Sequence, residues 1–320
     1  MSTTDQTLAG RAGDYFRGLQ DRIVAALERL DGGARFQEDA WERPGGGGGR
    51  SRVIADGGVF EKGGVNFSDV FGEFRPELAR SLPGEGTAFR ATGVSLVLHP
   101  RNPHVPTVHA NLRFIQRGDA NGAAWFGGGT DLTPYYVVPA DATAFHRGLQ
   151  GLCAAHEPAL YPRFKAWCDR YFYLPHRKEP RGVGGMFFDY LGAGAELAAG
   201  EPPAPLTALE QDPERVFAFV RAFGDGMLDA YYQIVARRRD QPWGDRQRDW
   251  QLLRRGRYVE FNLIFDRGTL FGLKTDGRTE SILMSLPPEV RWRYGAAPEP
   301  GSPEAESLAA ICAQRDWARG

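Results

Sequence analysis

Cysteine is scarce. The 320-residue chain holds three, Cys153, Cys168 and Cys312, far apart and odd in number. That pattern suits reduced cytosolic thiols and offers neither CxxC nor iron–sulfur spacing. Excess charge of one sign is missing too. Lys+Arg 39 against Asp+Glu 40 argues against a nucleic-acid or acidic-membrane binder, while leaving room for a local basic pocket. No apolar run approaches a membrane span, so no integral membrane contact is expected. The opening MSTTDQTLAGRAGDYF has neither a basic n-region nor an apolar h-region, so it does not read as a signal peptide. Neither glycine run is followed by Gly-Lys-Ser/Thr or set in a strand–GxGxxG–helix context, which excludes a P-loop and a dinucleotide site. The expectation is a soluble cytoplasmic protein.

What is present is a patterned strand. In VHANLRF, Val108, Ala110, Leu112 and Phe114 alternate with His109, Asn111 and Arg113. A period of two puts the apolar set on one face and His, Asn and Arg in a row on the other. An imidazole, an amide and a planar cation side by side suit a bound anion with hydrogen-bonding edges. One strand earlier, Val94, Leu96 and Leu98 share a face opposite Ser95, Val97 and His99. The connection 100–106 contains three prolines and reads as a loop. If the two strands are antiparallel neighbours, His99 and His109 approach one another. Two readings stay open for them: half of a metal site, or ordinary polar fillers at strand ends.

A composition of 42% hydrophobic residues can bury a large core, and no linker separates two units, so 1–320 reads as a single domain. Phe16, Leu19, Ile23, Leu27 and Leu30 predict an amphipathic helix ending at Gly32–Gly33. The five-glycine stretch 45–49 is expected to be a mobile loop near a ligand. A hairpin turns at Asp56–Gly57, and Gly127 to Gly129 read as a turn preceding Asp131. Two helices span 140–173, broken at Glu157–Pro158. The segment 192–205 reads as a surface insertion. Asp212–Pro213 opens a long helix that ends in the basic run Arg237 to Arg239. From Arg257 to Lys274 the alternation of Val259, Phe261, Leu263 and Phe265 predicts strand again, with Asp266 at its polar end. Ser302–Pro303–Glu304 starts a last helix. The pattern gives an α+β fold with a large, mostly antiparallel sheet flanked by helices.

Four segments carry most specificity: HPRNPHVPTVHANLRF, WFGGGTDLTPYY, YFYLPHRKEPRGVGGMFFDYL and GRYVEFNLIFDRGTLFGLKTDGRTESILMSLPPEVRWRY. Together they closely resemble the oxygen-dependent coproporphyrinogen III oxidases of haem biosynthesis, from about Ala26 to the C-terminus. The resemblance implies oxidative decarboxylation of the ring A and B propionates of coproporphyrinogen III to vinyl groups. Molecular oxygen is the co-substrate, and protoporphyrinogen IX, carbon dioxide and hydrogen peroxide are the products. It implies no flavin, haem, NAD or iron–sulfur cluster.

By the same resemblance, Ser95, Asn111, Arg113, Asp276, Gly277 and Arg278 contact substrate, and His109, Asp131 and Asp266 are catalytic. A planar guanidinium binds carboxylate bidentately, which suits Arg113 and Arg278 to propionates. A carboxylate such as Asp131 or Asp266 could accept pyrrole N–H groups or remove a pyrrole proton; cap or turn pairing is the bland alternative. His99, His109, His146 and His176 align with four histidines proposed as divalent-metal ligands, a metal that the family reading permits without requiring. The segment 258–293 resembles a dimerisation region, with Met284, Leu286 and Trp292 as apolar candidates, so a homodimer is expected. Where many bacterial relatives read Gly-Gly-Arg, this chain has Asp276, Gly277 and Arg278. A porphyrinogen carrier without turnover is the reading from another class; it would need neither Asp266 nor His109.

Overall fold

A computed structural model describes residues 6–119, 122–193, 207–274 and 277–320. The chain opens with α1 (Leu8–Asp31), then β1 (Gln37–Glu42), β2 (Gly47–Ala55), β3 (Phe60–Glu73) and a short α2 (Pro76–Ala79). Next come β4 (Ala88–Pro100), β5 (Thr107–Arg117), β6 (Ala124–Thr133), α3 (Pro139–Ala154) and α4 (Leu160–Tyr171). A small hairpin, β7 (Tyr173–Leu174) with β8 (Glu179–Pro180), leads into β9 (Gly184–Leu191). The rest is helical: α5 (Pro213–Gly226), α6 (Asp229–Arg238), α7 (Asp245–Ile264), α8 (Arg267–Lys274), α9 (Thr279–Leu283) and α10 (Pro303–Cys312).

The large sheet runs β1-β2-β3-β4-β5-β6-β9, every pair antiparallel. Its period of two segregates chemistry. Val65, Phe67, Val94, Leu96, Leu98, Val108, Ala110, Leu112 and Phe114 all belong to one buried core, into which α1, α3, α5 and α6 press Phe16, Leu19, Phe145, Phe219 and Ile234. The α+β architecture expected from the pattern is the one observed. Helix α1 forms where predicted: Thr7 accepts from the Gly10 amide, and Gly32 closes the helix at φ 79°. Helices α3 and α4 also lie on the predicted stretches, separated near Pro158.

Four expectations are corrected. Residues 257–264 and 267–274 are helix, not strand. Buried positions along α7 include Trp250, Gln251, Arg254, Arg255, Tyr258, Val259, Phe261 and Asn262, a three-to-four spacing that continues from the polar stretch upstream. The local alternation in VEFNLIFD fits both periods, and only the longer window separates them. The glycine run 45–49 is a tight turn closed by the Gly46 amide on the Arg43 carbonyl, then the start of β2. Gly127 to Gly129 lie inside β6 and are not a turn. The helix opened by Pro213 breaks near Met227, so the basic run caps α6 and not α5. The predicted insertion lies almost wholly outside the described residues, beyond Ala193.

Candidate active site

The face of the sheet opposite the core holds a polar row. Register places Ser51, Asn66, Ser95, Asn111 and Gly129 in line across β2 to β6, with Phe187 of β9 beyond. One step along β5, His109 stands opposite Asp131; one step the other way, Arg113 stands opposite Gly127. Asn66, Ser95, His109, Asn111 and Arg113 are all half-buried, so the row is a floor open from above.

Hydrogen bonds run along this floor as one chain. His109 donates from Nδ1 to Asp131 Oδ1 at 2.9 Å. The Asn111 amide lies 3.2 Å from His109 Nε2, and its carbonyl oxygen accepts from Arg113 at 3.2 Å. Arg113 then reaches Asp189 at 2.6 Å. Since the carboxylate takes the Nδ1–H, the neutral ring presents Nε2 as an acceptor, and the Asn111 amide is what meets it. Gly127 is what lets the far end lie flat: a Cβ there would sit 2.6 Å from Asp189 Oδ1 and 2.7 Å from Arg113 Nε.

Asp131 is 1% exposed and lies against His109. Arg181 grips it with Nη2 to Oδ1 at 2.7 Å and Nε to Oδ2 at 3.1 Å. Burial pushes its carboxyl up, but Arg181 and the His109 bond outweigh that and hold it below the ordinary range. Asp266 opens α8: its Oδ2 accepts from the Thr269 amide at 2.7 Å and its Oδ1 from Tyr171 Oη at 3.0 Å. The ring of Tyr171 stacks on Phe187 at 4.5 Å. Phe172 meets His109 edge-on at 5.7 Å, completing an aromatic wall beside the polar floor. The geometry offers a fixed acceptor, a fixed cation and an apolar flank, which suits a large apolar ring bearing carboxylates.

A model of the coproporphyrinogen III oxidase family matches residues 11–317. The chain belongs to that family. It is an enzyme of haem biosynthesis that decarboxylates coproporphyrinogen III oxidatively. Coproporphyrinogen is a flexible apolar macrocycle with four carboxylates and inward N–H groups. The floor also contains residues that pattern reading passed over. Asn66 donates to the Ser281 carbonyl at 2.7 Å while its own Oδ1 stays buried and without a partner. VNFSDV alternates as VHANLRF does, so Asn66 was readable by the same rule. Asp189, Tyr171 and Arg181 were not, because their roles depend on which strands pair.

The four histidines do not come together in this oxidase, which corrects the expectation of a shared metal site. His99 is fully buried between the Thr107 hydroxyl (3.2 Å) and the Ser285 carbonyl (2.9 Å), and burial, with the Arg255 charge, holds it well below the usual imidazole range. His146 lies behind the sheet on α3, bonded to Tyr161 Oη at 2.9 Å and the Val183 carbonyl at 3.0 Å. His176 sits in the β7–β8 turn with Nε2 on Glu260 at 2.7 Å. Among the described residues no group of three or more His, Cys, Asp or Glu is placed to hold a metal ion. With both nitrogens of His99 and of His146 bonded within the protein, these residues do not fit a metal centre.

Arg278 stands apart from Arg113. It caps α9 and pairs with Asp39 on β1, which faces Ser51 at the edge of the same row, while Ser281 of α9 bonds Ser51 and Asn66 farther in. The Gly277 amide bonds the Gly272 carbonyl at 2.8 Å. Asp276 lies outside the described residues.

Proposed function

We propose that this oxidase works with molecular oxygen on the floor formed by His109, Asn111, Arg113 and Ser95. Each turnover takes one propionate: the carbon next to the pyrrole gives up a hydride equivalent, the carboxylate leaves as carbon dioxide, and a vinyl group remains. That hydride equivalent, with one further proton from the medium, reduces dioxygen to hydrogen peroxide. Two rounds, on rings A and B, give protoporphyrinogen IX. Arg113 anchors a propionate, Ser95 and Asn111 orient the ring, and His109 Nε2 takes and returns a proton. Asp131 and Asp266 act as positioning groups, one through His109 and the other through Tyr171. The observation that carries this reading is the hydrogen-bond chain from Asp131 to Asp189, which fixes His109 and Arg113 from below while leaving their upper side open.

The experiment is an assay of chelator-treated enzyme with coproporphyrinogen III, in air and without oxygen, read as porphyrin fluorescence after oxidation. Product in air alone is the expected result. Product without oxygen, or tight binding with no product in air, overturns the reading.

We also propose a cytoplasmic homodimer joined through 258–293. Leu263, Ile264, Leu273 and Trp292 are each more than 40% exposed there, an apolar surface suited to a partner copy. Met284 is instead buried, packed over Gly64, and so is not an interface residue. Ile264→Glu should halve the mass in light scattering; a variant of unchanged mass would rule this segment out. Buried free Cys153 and Cys168 suit a reducing compartment. No described helix is long and apolar enough to cross a membrane.

A further inference from the structure

We propose that Arg181 is a positioning residue for this reaction, setting the protonation of His109 through Asp131. The inference rests on His109 being the proton-transfer group of the proposed function. Arg181 sits in the turn between β8 and β9, and its side chain is 2% exposed. It cannot touch substrate. Three of its N–H groups are committed: two to Asp131 and one to Asn262 Oδ1 at 3.0 Å. Its guanidinium carbon lies 4.1 Å from the Phe172 ring centroid, 4.5 Å from Tyr258 and 4.7 Å from Phe261. Such an aromatic cage holds one planar cation in one orientation.

The consequence follows from charge balance. The buried cluster contains one cation, Arg181, and one anion, Asp131, so the imidazole above it completes a neutral set when it is itself neutral. Other groups packed around the cluster are Tyr258 and Asp266 toward α7, Cys168 on α4 and His99 on β4. The Cys168 thiol and the Tyr258 phenol can ionise only to anions, which burial disfavours, and burial keeps His99 neutral, so none of them replaces the cation if Arg181 is lost. Without Arg181, Asp131 would be a buried anion with His109 as its nearest counter-charge, and the imidazole would take up a proton at higher pH. Arg181 therefore keeps Nε2 an acceptor, and its fork keeps the Asp131 oxygen aimed at Nδ1.

The test is nitrogen-15 NMR of histidine-labelled enzyme without substrate, followed through a pH titration. The His109 signal is identified by its loss in His109→Gln. In Arg181→Met the His109 midpoint should rise by about one to three pH units. In Arg181→Lys, which keeps a cation but not the fork, the rise should be smaller. Arg181→Met could fail to fold, so the neutral pair supplies a second comparison: the midpoint in Asp131→Asn/Arg181→Met should exceed that in Asp131→Asn. An unchanged midpoint in both comparisons would overturn the proposal. The readout needs no turnover, so it stands apart from the assay that tests the oxidase reading. If His109 titrates as described while His109→Gln retains full activity, the reading fails and the coupling survives.

Discussion

The two faces of one sheet differ more than any two separate parts of the molecule. Along β5, Val108, Ala110, Leu112 and Phe114 are each at most 1% exposed and belong to the main core, while His109, Asn111 and Arg113 point the other way and stay half-open. The histidines divide in the same manner. His146, on the core side, has both ring nitrogens bonded, one to a phenol and one to a carbonyl, and is sealed. His109, on the open side, is tied firmly from below by Asp131 and only lightly along the row by Asn111. The lesson is that a strand's period of two can build a fold with one face and a reaction floor with the other, and that the two jobs call for differently committed polar groups.

Replacing His109 should show the largest effect. His109→Gln keeps a polar side chain in the row but removes the acid–base group, so kcat should fall by about 10²–10⁴-fold with the melting temperature little changed. Steady-state assay beside calorimetry checks both halves. A comparable loss of melting temperature would make His109 a structural residue and erase the contrast with His146.

His146 should behave in the opposite way. Burial, with the Lys165 charge, lowers its midpoint from 6.5 to about 4. Between those two values the unfolded chain binds a proton that the native protein does not, so stability is full above 6.5 and is lost as pH falls toward 4. The loss is about 3 kcal/mol at 1.36 kcal/mol per pH unit. Urea unfolding at stepped pH should show that slope in the wild type and a flatter one in His146→Gln, with neutral-pH kcat retained in both.

Gly127→Ala sharpens the comparison within the open face. The added methyl would crowd Asp189 and Arg113 and tilt the anchor, so KM should rise several-fold while kcat moves less. Equal falls in kcat and kcat/KM would place the fault in the chemical step instead.

The division into faces was legible in the sequence because it needs only local alternation. That is why Ser95, His109, Asn111 and Arg113 were found together, and why β4 and β5 appeared where expected. What failed was non-local. Asp131 was visible as an acid, but its burial under His109 depends on Arg181, fifty positions later, arriving through the β7–β8 hairpin. The four histidines looked alike by type and were separated by the sheet itself, with His146 behind it. Helix α7 was misread because Val259, Phe261, Leu263 and Phe265 alternate like a strand. The register that decides against it lies upstream, in Trp250, Arg254 and Arg255.

Neighbouring residues on opposite faces supply the most direct test. Anaerobic titration of coproporphyrinogen III into Arg113→Ala and Leu112→Ala measures binding without turnover. The account predicts that Arg113→Ala weakens binding about tenfold or more, since losing a hydrogen bond to a charged group costs about 1.5–3 kcal/mol. Leu112→Ala should bind like the wild type and be less stable by about 2–5 kcal/mol. Unaltered affinity in Arg113→Ala, or a loss of affinity in Leu112→Ala alone, would contradict the placement of substrate on the open face.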